Sequence, residues 1–451
     1  MNRAEFYRLR DLRTRDYGIA ADPLERPVGI AISGEAAESP AGQVAALALI
    51  NMAARVHRRL RILVPEQQLL VSSLIPASSF GDAVVALVTA IDPFNEIAIV
   101  QSGDRLALPD ATIGVGAVPH VPLAISARRY TATLSNEALA FGNDPSTTVG
   151  ACLGACFGAA GLLHLALGRE PRERRTSLWT LADETGEGSG PGDAPSRIDV
   201  GNVAVIGAGA VGSALAYWLR LLGVEGEAWA FVDGDVVELH NTSRGVGLLA
   251  AHAGWSASGL TGDPAKKAEV TAALVGGKGF PVWYEEWVQT GDEAPDLIIP
   301  VANGPGVRSA VAERGEAVLV HGTTSRRWSA DLHRHLAESD GCIRCRLPES
   351  PSSPPPCSTA QVRIGEETVD AALPFLSAGA GLLIVRALER LATGSLAAGV
   401  SNHWELHLDE ATQPTLRARR WSCDSQCATR RHLPQSLRRT LPRGRLWAHL
   451  D

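Results

Sequence analysis

The residues with the clearest capacity for chemistry begin at Gly207. Gly207, Gly209 and Gly212 follow the apolar run Val203-Ala-Val-Ile206 and lead into a helix-forming stretch, Ala214 to Leu222. The first glycine permits a tight turn, the second lets backbone N–H groups approach a phosphate, and the third lets a helix pack closely on the strand. A second strand, Ala228 to Val232, ends at Asp233, whose carboxylate can accept from a ribose hydroxyl. Asp235, Asn241, Arg244 and the pair Lys266 and Lys267 come next. Hydride transfer has no use for that set. A triphosphate does, because a fixed guanidinium or ammonium neutralises phosphate charge in a transition state.

Thiols form the second chemical group. The chain has 7 cysteines, at positions 152, 156, 342, 345, 357, 423 and 427. Cys342-Ile-Arg-Cys345 is a C-x-x-C pair, and Cys423-Asp-Ser-Gln-Cys427 is a C-x-x-x-C pair near the end of the chain. Two such pairs can close a tetrahedral thiolate site, the arrangement of structural zinc; otherwise they are buried free thiols. Cys357 stands alone after the proline-rich run Pro351 to Pro356, where a thiolate on a loop can act as a nucleophile or be an incidental surface thiol. Cys152 and Cys156 share one face of a Gly/Ala-rich helix and are expected in the core.

The string D-G-D-V-V-E-L-H-N-T-S-R from Asp233 to Arg244, followed by G-D-P-A-K-K-A-E, resembles the ubiquitin-activating-enzyme-like, ThiF-type adenylyltransferases. That family includes the activators of thiamin and molybdopterin sulfur carriers. The resemblance covers residues 199–427 by motif and the first 170 residues only by pattern. It implies ATP on Gly207 to Gly212 with its ribose at Asp233. Arg244 and Lys267, or Lys266 in its place, would steady the phosphates, and Asp235, Asn241 and Asn303 would shape the site. It also implies magnesium, zinc on Cys342, Cys345, Cys423 and Cys427, and an acyl-accepting or sulfur-transferring role for Cys357. The implied partner is a small ubiquitin-like protein with a C-terminal glycine, together with a possible conjugating enzyme. Bacterial relatives of this kind often serve antiphage defence. One departure stands out: the family carries a magnesium-binding aspartate before Asn303, and this chain has Ala302. That change favours the rival reading of a non-catalytic scaffold that binds a peptide or protein. The glycine turn and its acidic strand end are also compatible with a sulfur-carrier activator and with a dinucleotide-dependent oxidoreductase.

The elements that must position these groups read as α/β. Before the glycine turn, strand Val28 to Ile32, helix Gln43 to Arg59, strand Leu60 to Val64, strand Glu96 to Val100 and strand Thr112 to Gly116 alternate in the manner of a Rossmann unit. Its first turn, Ser33-Gly-Glu-Ala-Ala-Glu-Ser, lacks the glycine triplet and places carboxylates where phosphates would sit. The expected plan is therefore two Rossmann-like halves: a degenerate one over residues 1–169 and a nucleotide-binding one over 199–427, braced by zinc. A charged and Gly/Ser/Pro-rich linker, residues 170–198, joins them, and a basic tail, 428–451, follows. Residues 148–168 and 369–394 echo each other as small-residue-rich helices, which supports duplication. The resemblance also implies that an arginine of the N-terminal segment, Arg8 or Arg10, reaches into the nucleotide site of a partner subunit or partner half, the other reading being solvated surface.

Beyond Arg244 the expected elements are a helix from Pro264 to Leu274 and strands Asp296 to Pro300 and Glu316 to Val320. Helix Leu373 to Leu391 and strands Asn402 to Leu408 and Thr415 to Arg420 complete the plan. At 451 residues, 45% hydrophobic and 20% charged, the chain has the composition of a globular protein of two or three domains. A net charge of −7 argues against general nucleic-acid binding. The apolar run Ala151 to Gly168 contains His164 and reads as a core helix, so no membrane span is expected. Met1 to Arg15 is rich in Arg, Asp and Glu and lacks the pattern of a secretory leader, which gives a cytoplasmic expectation; a monomer or homodimer is expected.

Overall fold

A computed structural model describes residues 2–14, 24–100, 108–137, 139–179, 181, 198–224, 226–290, 295–302, 305–313, 320–325, 328–335, 340–343, 361–364, 367–370, 373–396, 401–409, 412 and 415–423. The first half opens with α1 (Arg3–Arg10). It then runs β1 (Val28–Ile32), α2 (Gly34–Ala37), α3 (Pro40–Val56), β2 (Arg59–Leu63), α4 (Phe80–Ile91) and β3 (Glu96–Val100). β4 (Thr112–Val115), β5 (Leu123–Arg128), β6 (Thr131–Ser135), α5 (Thr147–Ala166) and β7 (Arg174–Ser177) complete it. All strands join one 7-stranded sheet in the order β3-β2-β1-β4-β5-β6-β7. Pairing is parallel from β3 through β5 and antiparallel from there to β7.

Local chemistry explains the main elements. Every residue of β1 is buried, as a central parallel strand covered on both faces requires. Ser39 caps α3 by accepting from Gly42 N–H, and Pro40 occupies the first helical turn, where its missing donor costs nothing. α5 is apolar all round and lies in the core against α3, β5 and β6. By length and composition alone it could cross a membrane, yet 94% of its most apolar window is buried inside the protein.

The second half repeats the order. β8 (Val203–Ile206), α6 (Ala210–Leu221), β9 (Trp229–Val232), α7 (Leu239–Thr242) and the short hairpin strands β10 (Trp255–Ser256) and β11 (Gly259–Leu260) come first. α8 (Lys267–Ala273), β12 (Lys278–Phe280), α9 (Tyr284–Trp287), β13 (Leu297–Pro300) and α10 (Pro305–Glu313) follow. β8, β9, β12 and β13 form a 4-stranded sheet ordered β12-β9-β8-β13, parallel throughout. β14 (Val320–Thr324) lies beside β13 and starts an antiparallel sheet. That sheet continues through β15 (Ser329–Arg334), then past the hairpin β16 (Gln361–Ile364) and β17 (Glu367–Asp370) to β18 (His403–His407) and β19 (Leu416–Arg419). Both halves thus place their third, second, first and fourth parallel strands in the same spatial order, followed by an antiparallel extension. α11 (Pro374–Ala392) packs on α6, β14 and β15, as α5 packs on α3, β5 and β6, and the two small-residue helices also touch each other.

The halves are joined by buried hydrogen bonds as well as apolar packing. Arg55 Nη1 donates to Thr242 O at 2.5 Å and Leu248 O at 2.8 Å, and its Nη2 donates to Val246 O at 2.8 Å. In the other direction, Arg386 of α11 donates to Leu178 O and Trp179 O. Arg174 donates to His407 O at 2.8 Å and to Asp409 O.

Several expectations need adjustment. Arg174–Ser177, assigned by composition to the linker, is the last strand of the first sheet. Three of its four residues are buried, and the Arg174 guanidinium is held by carbonyls of the second half. Of the strand expected over Glu316 to Val320, only Val320 is described, as the first residue of β14 (Val320–Thr324); residues 314–319 lie outside the described set. Residues 182–197 of the linker and the tail 428–451 also lie outside it. β5, β6 and α4 were not anticipated.

Candidate functional site

The glycine turn follows β8, in the crevice between β9 and β13 where an open parallel sheet binds ligands. Gly207 has φ +106°, the region that favours glycine, and a Cβ there would lie 2.6 Å from Ala302 N. A Cβ on Gly212 would sit 2.1 Å from Gly207 O, so this glycine sets how closely α6 approaches the turn. Gly209 is different: nothing lies within 4 Å of a Cβ built on it. It takes the N-cap position of the 12-residue α6 with no side-chain acceptor, and the helix's first residues, Ala210 and Val211, line the same cavity as Gly209.

Asp233 closes the next strand. Its Oδ2 accepts from Ala208 N at 2.7 Å and its Oδ1 from Asp235 N at 3.0 Å. Burial raises the Asp233 carboxyl above the usual range, against the opposing pull of the Lys267 ammonium and those two amides. Lys267 Nζ donates to Asp235 Oδ2 at 2.7 Å, and its backbone N–H donates to Asp235 O at 3.1 Å. The backbone of α8 is thereby fixed against the turn after β9.

Asn241 organises the following helix: its Oδ1 accepts from Glu238 N at 2.9 Å, forming a capping box at the start of α7. Arg244 Nη1 donates to His240 O at 2.9 Å. The segment carrying it is held from beneath by Asn51, whose Nδ2 donates to Val246 O at 3.0 Å, and by Arg55. Burial pushes the Arg55 pKa down to about 9, so it stays charged at neutral pH.

These residues surround one cavity of about 450 Å³, within the size range of small-molecule sites. Gly207, Gly209, Asp233, Asp235, Asn241, Arg244 and Lys267 all line it. Lys266 does not; it takes the N-cap position of α8. The lining also includes residues given no role from the sequence: Trp283, Arg308, Thr323 and Ser377. They arrive from four separate elements, and no local pattern marks them. Ala302 also lines the cavity, its N–H donating to Ile206 O at 2.8 Å. Asn303 lies outside the described residues.

The corresponding turn of the first half is filled by its own side chains. Ser33 Oγ accepts from Ala36 N and donates to Glu35 Oε2 at 3.1 Å, while Glu35 Oε1 accepts from Phe141 N at 2.7 Å. A carboxylate so placed occupies donors and repels phosphate. Arg10 is not available to any neighbouring site: it is fully buried and pairs with Asp11 and Asp92, each at 2.6 Å.

Cys342 and Cys423, distant in sequence, come together, with Cys342 N donating to Cys423 Sγ at 3.0 Å. Cys345, Cys357 and Cys427 lie outside the described residues. Cys152 and Cys156 are fully buried on α5, where desolvation raises both thiols well above their usual range. Sequence reasoning also missed a group on the antiparallel sheet of the second half: Asp331, His333 and His403 bring potential ligand atoms within 4.8 Å of one another.

No family model and no curated protein matches this chain. Among solved structures, the crystal structure of selenomethionine-labelled PaaA is similar at 18% identity and a TM-score of 0.32, covering 49% of this chain. The match spans 64% of the PaaA chain, and at that score the likeness carries no argument.

Proposed function

We infer that the second half binds ATP and adenylates the C-terminal carboxylate of a small ubiquitin-like protein. The observation that carries this reading is the convergence of Gly209, Asp233, Asp235, Arg244 and Lys267 on one cavity at the carboxyl ends of the parallel strands. In the reaction, a carboxylate oxygen attacks the α-phosphorus, the bond to the bridging oxygen breaks, and pyrophosphate leaves. The amides at the start of α6 would meet phosphate oxygens, and Arg244 and Lys267 would offset the charge that builds on them. Magnesium keeps waters and substrate oxygens and needs only one or two carboxylates. Asp235, whose side chain is 51% exposed, is the group suited to it, with Lys267 as its present counter-charge. Zinc on the four paired cysteines would brace the sheet, a reading supported by the approach of Cys342 to Cys423. Attack by the Cys357 thiolate on the acyl adenylate would then form a thioester and release AMP.

One observation favours a second reading, a scaffold that holds a peptide or protein without turnover. Ala302 packs against the Gly207 turn where the resemblance leads one to expect a magnesium-binding aspartate. Calorimetry with ATP and NAD separates the first reading from an oxidoreductase: ATP binds, NAD does not, and Lys267→Ala weakens ATP at least about tenfold through loss of a charged hydrogen bond. Pyrophosphate exchange with small ubiquitin-fold proteins ending in glycine tests turnover. Exchange disappears in Lys267→Ala and persists in Cys357→Ala; ATP binding without exchange for any such protein points to the scaffold.

A further inference from the structure

The antiparallel sheet of the second half has two unlike faces. Side chains alternate along each strand, so Gly322, Ala330 and Leu406 turn towards α11, where Ile384 and Gly379 meet them. The opposite face carries ionisable groups in register. His321 of β14 is paired with His333 of β15, which is paired in turn with His403 of β18. Asp331 precedes His333 by two residues and shares its face. These four side chains are between 0% and 6% exposed.

Burying three imidazoles and a carboxylate side by side is costly unless their polar atoms are used. The chemistry of the set indicates how. Asp331, His333 and His403 each offer one ligand atom, all within 4.8 Å of one another. Ser329 Oγ donates to Asp331 Oδ1 at 2.8 Å, which orients the carboxylate. Nearby, His335 Nδ1 is 2.7 Å from Gly341 O and therefore donates to it. His335 Nε2 lies 2.6 Å from His321 Nδ1, so a hydrogen bond links the two rings and holds them in the same row.

We propose that Asp331, His333 and His403 form a site for a divalent transition-metal ion of the zinc class. Two imidazoles and one carboxylate suit zinc, iron(II) and their neighbours better than magnesium, and three protein ligands leave a coordination position open to water or an incoming ligand. The His333 and His403 rings stack with centroids 4.2 Å apart and 16° between their planes. An ion lies in the plane of each imidazole it binds, so loading turns one ring about its Cβ–Cγ bond, a soft torsion. The site uses no cysteine and none of its three residues lines the nucleotide cavity, so it does not rest on the adenylation reading.

The test is cobalt(II) and zinc(II) loading of the full chain after chelator treatment. The wild type takes up one more equivalent per chain than His333→Gln/His403→Gln, and the absorption bands of any cobalt–thiolate site are the same in both. Equal uptake by wild type and a folded variant overturns the proposal. Should the variant not fold, X-ray absorption of the zinc-loaded wild type decides: imidazole scattering supports the site, and an all-sulfur shell overturns it.

Discussion

Replacing Arg55 with methionine tests whether the first half holds the cavity-lining loop of the second. The substitution keeps most of the side-chain volume and removes a guanidinium that donates to the carbonyls of Thr242, Val246 and Leu248 and to Asn51 Oδ1. Arg55 is 0% exposed, so water cannot replace it without rearrangement. A buried carbonyl left without a donor costs about 1–3 kcal/mol. The three share one side chain and are not additive, which gives about 3–5 kcal/mol in total, in line with breaking a buried charged network. Hydrogen exchange of peptides covering 242–249 reads the effect directly. A loss of about 3 kcal/mol in local opening accelerates exchange there by roughly a hundredfold. Arg26→Met is the control, because Arg26 donates to Ala166 O within the first half; it leaves exchange at 242–249 unchanged. Wild-type exchange in the Arg55→Met loop refutes the idea that the first half scaffolds the site.

The three glycines separate folding from binding. Gly207→Ala forces a φ of +106° on an L side chain and drives a Cβ into Ala302 N, and Gly212→Ala meets Gly207 O at 2.1 Å, so each lowers stability by at least about 2 kcal/mol in chemical denaturation. Gly209→Ala meets nothing and melts like the wild type while binding ATP more weakly; equal melting loss in all three variants contradicts this division. His252 gives a pH dependence: burial pushes its pKa down to about 4, and Leu249 N–H donates to its Nδ1 at 3.1 Å. Its unfolded value is 6.5, so the unfolded chain binds the extra proton between these values. Stability is full above pH 6.5 and falls as pH drops towards 4, by up to about 3 kcal/mol. His252→Asn keeps an acceptor without titrating and flattens that part of the profile; parallel profiles for the two proteins exclude the assignment. Arg174→Met, which strips donors from His407 O and Asp409 O, speeds exchange in β18 and leaves β1 unaffected.

Local sequence determined much of the nucleotide-type turn. Glycines at 207, 209 and 212 act through backbone geometry, which depends on their immediate neighbours, and short β-branched runs such as Val203–Ile206 become strands wherever both faces are covered. Repetition of small-residue helices was also readable, because α5 and α11 must let neighbouring helices approach closely. Other features depended on pairing between distant segments. Arg174 looked like part of a charged linker until the carbonyls of 407 and 409 gave its guanidinium partners. Arg55, given no role within the helix expected over Gln43 to Arg59, finds its acceptors only in the loop at 242–248. Sequence spacing could not gather His333 and His403, 70 positions apart by number, into one row; only the register of β15 against β18 does that. Hydrogen bonds and metal ligands act over a few ångströms of space, so tertiary structure alone decides which distant side chains share them.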